Sequence, residues 1–95
     1  MTTPRVEVYA AINSERDYQD KVWRENNPYK PEAAGDGVAR PLSIGEDILL
    51  IERYVALARE AWATGKRPET GALHNLRKIA GIAVRCMETH GAPHR

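Results

Sequence analysis

Apolar positions recur along this chain at helical spacing, and no segment alternates with the period of two that a half-buried strand needs. The pattern predicts one all-α domain over 1–95 with helices at about 4–24, 44–64 and 69–90 and a long loop at 25–41. In the first helix Thr2 or Thr3 is placed to cap and Pro4 to sit near the first position, where its missing N–H does no harm. At 100° per residue, Val8, Ala11, Ile12, Glu15, Tyr18, Val22 and Trp23 share a face, an apolar stripe with one carboxylate in it. A neighbouring face carries Tyr9, Asn13, Arg16, Asp20 and Arg24.

The second helix has the clearest local signals. Ser43 and Glu46 form an S-x-x-E capping box, and Gly65 stands where a C-terminal glycine stop belongs. Its apolar arc (Ile44, Ile48, Leu50, Ile51, Tyr54, Val55, Leu57, Ala58, Ala61 and Trp62) covers about half the circumference, wider than one partner helix needs. The arc places this helix at the centre, between two helices of its own chain or between chains. In the third helix Leu73, Leu76, Ala80, Ala83, Val84 and Met87 form the expected core stripe, and His74, Lys78 and Arg85 a basic face. Gly81 beside that face suggests close packing against another helix, and Gly91 ends the helix.

Between these helices the 25–41 segment contains Asn26-Asn27, three prolines and the Gly35-Asp36-Gly37 turn signal, and reads equally as a functional lid or a linker. At 95 residues, 42% hydrophobic and 28% charged, the chain has the composition of one globular domain with a modest core. Apolar runs fall far short of a membrane span, and residues 1–24 lack the apolar region of a signal peptide. Cys86 is the only cysteine, which excludes an internal disulfide and makes a cytoplasmic setting the expectation. A small buried hydrophobe is the more ordinary use of such a residue than a reactive thiol. The net charge of +1 argues against coating a DNA or RNA polymer. It hides an asymmetry, since residues 66–95 hold six Lys/Arg against Glu69 and Glu88, so a local patch for a small anion stays open.

Candidate chemistry is sparse. On the first helix Tyr9 offers a ring on which a base could stack, with Asn13, Arg16 and Arg24 as polar and cationic neighbours. The plainer alternative is a solvated face with Arg16 and Asp20 as an i, i+4 pair. Lys66-Arg67 precedes the third helix, whose N-terminal dipole favours anions, although loop cations are commonly just solvated. His90-Gly91-Ala92-Pro93-His94-Arg95 is an ordinary helix stop and tail, or a backbone wall suited to a purine edge. Glu15 within an apolar stripe calls for a structural partner, an Arg or helix-end amides, more readily than for an acid–base role. No nucleophile–base arrangement, glycine-rich phosphate loop or paired carboxylate cluster is discernible, and His90 and His94 are separated by Gly91 and Pro93, which break the helix. The sequence therefore assigns no catalytic residue, no metal ligand and no cofactor.

Two stretches, Ala11-Ile12-Asn13-Ser14-Glu15-Arg16-Asp17-Tyr18-Gln19 and Leu76-Arg77-Lys78-Ile79-Ala80-Gly81 running on to Cys86-Met87-Glu88-Thr89-His90-Gly91-Ala92-Pro93, resemble small all-α phage proteins. Some of those proteins are anti-CBASS sponges, which sequester the cyclic oligonucleotide messengers of bacterial immunity. The resemblance spans most of the chain but not the 25–41 loop in detail. It implies a helical homo-oligomer, a hexamer, acting in the cytoplasm of an infected bacterium without membrane or nucleic-acid polymer partners. It further implies two classes of site. One, between paired subunits, would hold cyclic dinucleotides with Tyr9 stacking on a base, Arg24 meeting phosphates where relatives are expected to carry a lysine, and Lys30 as a further candidate. The other, where three subunits meet, would hold cyclic trinucleotides with Arg67 on the phosphates and Gly91, Ala92 and Pro93 as the backbone wall.

The same resemblance extends to all-α nucleotide pyrophosphohydrolases, enzymes or inactive relatives that gather paired E-x-x-E and E-x-x-D carboxylates around magnesium. Here Glu46, Asp47, Glu52 and Glu60 contain no acidic i, i+3 pair, a departure at the residues that chemistry requires. A structural or assembly domain with no small ligand is the third reading.

Overall fold

The computed structural model describes residues 2–26 and 41–95, with side chains at 2–22 and 41–95. These residues form three helices, α1 (Arg5–Asn26), α2 (Ile44–Ala63) and α3 (Ala72–His90), and no strand. The all-α expectation is met. Most of the 25–41 segment, Lys30 included, and the side chains of Trp23 and Arg24 lie outside the described residues.

The helix ends follow from local chemistry. The Pro4 carbonyl accepts from the amides of Glu7 and Val8, so α1 begins directly behind the proline. Ser43 and Glu46 form the expected reciprocal box, Glu46 N to Ser43 Oγ at 3.1 Å and Ser43 N to Glu46 Oε1 at 2.9 Å. At the other end of α2 the Lys66 amide reaches the Ala61 carbonyl and the Gly65 amide the Trp62 carbonyl. That double bond pattern needs a left-handed residue, and Gly65 supplies it at φ +73°. The third helix starts later than its sequence pattern suggests. Residues 68–71 form turns through Thr70 N to Arg67 O and Gly71 N to Pro68 O, and the Gly71 cap has no side chain to hold a longer first turn.

Of the two placements expected for α2, the one between two helices of its own chain is not found. The helix between the other two is α3: it packs against both α1 and α2, while α1 and α2 do not meet. Two features of α3 explain this. Gly81 lets α1 approach so closely that an added Cβ would lie 2.8 Å from Gln19 Nε2 and 3.0 Å from Glu15 Cγ. On the α2 side the buried apolar residues are small or aliphatic, Ala58, Ala61 and Ile82, and the charged Asp47 is buried as well. Contacts of Arg85 with Asp47 and of His90 with the Leu42 carbonyl show α2 and α3 running antiparallel.

Between α1 and α3 the seam is ionic. Glu15, 4% exposed, accepts from Arg77 Nε at 3.1 Å and has Lys78 Nζ at 3.7 Å. Gln19 donates to the Lys78 carbonyl at 3.2 Å. Lys78 also sits over the Tyr18 ring of α1 and the Tyr54 ring of α2, 5.5 and 5.9 Å from their centroids, touching both neighbours of its helix. The pairing is incomplete: Glu15 Oε2 has only the Lys78 ammonium at ion-pair distance, and Gln19 Oε1 is buried without a hydrogen-bond partner among the described residues, so the seam carries part of the cost of burying polar groups.

The expected apolar stripes are mostly uncovered within one chain. Leu73, Leu76 and Met87 of α3 are exposed, as are Ile44, Ile48, Leu49, Val55 and Leu57 of α2, and Trp62 retains 70% of its surface. The reason is geometric. With α3 in the middle, α2 turns only one side of its wide arc inward, and the remainder has no partner among the described residues.

Candidate functional site

On the outer face of α1, Tyr9 is 63% exposed and Asn13 is exposed one turn further along. Arg16 does not join them as an open cation. It is buried, with Nε 2.7 Å from Glu88 Oε1 on α3 and its terminal nitrogens 3.0 and 3.3 Å from the Asp20 carboxylate. Burial works against its charge, but the hydrogen bonds to Glu88 and Asp20 outweigh that and raise its pKa above the ordinary arginine value. Arg16 is thus a pairing residue that ties α1 to the end of α3, and it is not an open cation beside Tyr9. Arg24 lies in the last turns of α1, its side chain beyond the described set.

The basic face anticipated on α3 is likewise internal. Arg85 reaches Asp47 Oδ1 at 2.7 Å, Lys78 faces Glu15, and Arg77 donates to His74 Nδ1 at 2.7 Å as well as to Glu15. Burial lowers the His74 pKa, with the charges of Arg77 and Lys78 adding to the effect, so the ring is neutral where it accepts that bond.

Arg67 is different. Its side chain is 86% exposed, with only Glu69 nearby at 3.8 Å, and Lys66 beside it borders a polar recess of about 410 Å³ shared with Thr64, Thr70 and Asn75. At the opposite end of α3, Gly91 (φ +120°) donates its amide to the Met87 carbonyl, and Ala92 and Pro93 follow, both exposed. The 19 residues of α3 separate these points by about 28 Å. One chain therefore cannot bring Arg67 and Gly91–Pro93 to the same small ligand.

A cleft of about 450 Å³ opens between the first turns of α1 and α3, lined by Val8, Ala11, Ile12, Leu73, Leu76 and Ala80. It is apolar and continuous with the uncovered stripe of α3.

One grouping escaped the sequence reading. Asp47, Cys86 and His90 each bring a donor atom to within 4.8 Å of the others, across the α2–α3 seam. The signal was present as Cys86-x-x-x-His90, an i, i+4 pair within one helix, whereas attention to His90 and His94 looked past the helix stop. The third member, Asp47, becomes visible only once α2 is laid antiparallel on α3.

No family model, characterised protein or solved structure matches the chain significantly.

Proposed function

We propose that this protein binds cyclic oligonucleotides as a homo-oligomer, a hexamer, and sequesters them without cleavage, as an anti-CBASS sponge would. The observation that carries the reading is Tyr9: a large ring held out on a rigid helix, away from every internal pairing that builds the fold. An exposed aromatic on a helix is a stacking platform for a base. Asn13 lies beside it, and Arg24 further along the same helix is the phosphate partner in this reading.

Oligomer formation is supported by the amount of apolar surface one chain leaves open, on α2 from Ile44 to Trp62 and on α3 at Leu73, Leu76 and Met87. A trinucleotide site made by Arg67 and Gly91–Pro93 fits the same assembly, because only different subunits can contribute the two ends of α3.

The non-cleaving aspect is supported by where the carboxylates of α2 go. Asp47 is held by Arg85, Glu46 closes the capping box, and Glu52 and Glu60 face outward. Those positions do not converge into the magnesium-holding cluster a pyrophosphohydrolase needs.

The test is calorimetric titration of a cyclic dinucleotide into wild type and Tyr9→Ala. Loss of one stacking contact costs about 1–3 kcal/mol of binding, with assembly unchanged because Tyr9 fills no cavity. Equal affinity in the two proteins would remove Tyr9 from the site.

A further inference from the structure

The Asp47–Cys86–His90 grouping has the chemistry of a metal site. Cys86 and His90 stand one turn apart on α3, and Asp47, only 2% exposed, faces them from the first turn of α2. Two of the three donors are already oriented by outer partners. Arg85 holds Asp47 through Oδ1 alone, so the carboxylate has a second oxygen to offer. His90 Nε2 lies 2.9 Å from the Leu42 carbonyl. A carbonyl can only accept, so Nε2 carries the proton and Nδ1 is left with a free lone pair, the tautomer a metal ligand requires.

Geometry permits closure. A tetrahedral cation with bonds of about 2.0–2.3 Å holds its donors about 3.3–3.8 Å apart. With its donors within 4.8 Å of one another, the trio needs at most about 1.5 Å of contraction, within reach of His90, which is exposed at the last turn of its helix.

We infer that Asp47, Cys86 and His90 bind a divalent transition-metal cation of the zinc type, which joins the start of α2 to the end of α3. Thiolate and imidazole favour zinc or cobalt over the hard cations magnesium and calcium. Binding replaces the S–H bond of Cys86 by a sulfur–metal bond and releases one proton to solvent. Three protein donors leave a coordination position for water. The site lies immediately before Gly91–Pro93, so the cation would hold the root of that tail in place. The inference does not depend on nucleotide binding.

The experiment uses the full chain, reduced, stripped with chelator and free of nucleotide, titrated first with Co²⁺ and then with Zn²⁺. The expected result is one Co²⁺ per chain with a near-ultraviolet thiolate-to-cobalt charge-transfer band, displaced by Zn²⁺, and a rise in melting temperature that Mg²⁺ does not produce. Cys86→Ser removes the band, and His90→Gln, an exposed change that leaves the fold intact by circular dichroism, weakens binding at least about tenfold. No charge-transfer band in the wild type, a wild-type band in Cys86→Ser, unchanged affinity in His90→Gln, or an equal response to Mg²⁺ would each overturn the inference.

Discussion

Glu15 and Arg16 are adjacent in the chain and both buried, yet they differed in how far the sequence could be read. A lone carboxylate within an apolar stripe must find a partner, so a structural partner for Glu15 was readable from periodicity, but not that Arg77, 62 positions away, supplies it. Arg16 carried an ordinary local explanation in Asp20, and its stronger partner is Glu88, 72 positions away, which no local pattern could supply. His74 yields a prediction at this scale. Its ring accepts from Arg77 while half-buried near Arg77, Lys78, Lys66 and Glu15, and its pKa is below the ordinary 6.5. Below about pH 6.5 the unfolded chain takes up a proton that the folded chain refuses. The stability contributed by neutral His74 is therefore complete above that pH and declines as pH falls through the interval down to the folded-state pKa. Denaturant midpoints between pH 8 and 5 should fall on acidification, and His74→Asn should flatten that part of the slope. An identical pH dependence in the variant would contradict the assignment.

At the scale of elements, the helices themselves were legible because capping box, glycine stop and 3.6-residue period agree. Their arrangement was not. A wide apolar arc on α2 says how much surface wants cover, not whether the cover comes from the same chain, and the ionic α1–α3 seam uses residues that periodicity files as surface. Gly81 was the local hint that α3 is approached closely, and α1 is the helix that does so. Gly81→Ala measures that contact. A helix interior gains roughly 1 kcal/mol from this exchange, while a methyl forced against Glu15 Cγ and Gln19 costs about 1–3 kcal/mol. The Glu15 backbone-proximal carbon cannot swing away as a side-chain tip would, so the crowding should win by about 1 kcal/mol. Urea denaturation would read this as a lower midpoint, and a higher midpoint would mean that α1 sits further from α3 than the structure has it.

For the whole molecule, a chain that leaves Trp62, Leu49, Leu73 and Leu76 exposed while burying Glu15, Arg16 and Asp47 has put its specific ionic pairs inside and its apolar surface outside. In the proposed assembly, that exposed apolar surface is where other subunits would pack. The fold also separates the two proposed ligand sites, since Tyr9 lies on α1 and Arg67 precedes α3. At a junction of three subunits every copy of Arg67 would meet the same trinucleotide, so Arg67→Ala should abolish cyclic trinucleotide binding and leave cyclic dinucleotide affinity nearly unchanged. Equal loss of both ligands in calorimetry would mean one shared site. The central claim, an assembly that holds its ligand intact, is open to one direct measurement: native mass spectrometry of the protein mixed with a cyclic dinucleotide, followed by release of the ligand in the same instrument. The account predicts a multi-chain complex, six chains for a hexamer, whose released ligand has the mass of the unbroken ring. A lone chain, an assembly without ligand, or a released ligand heavier by one water would contradict it.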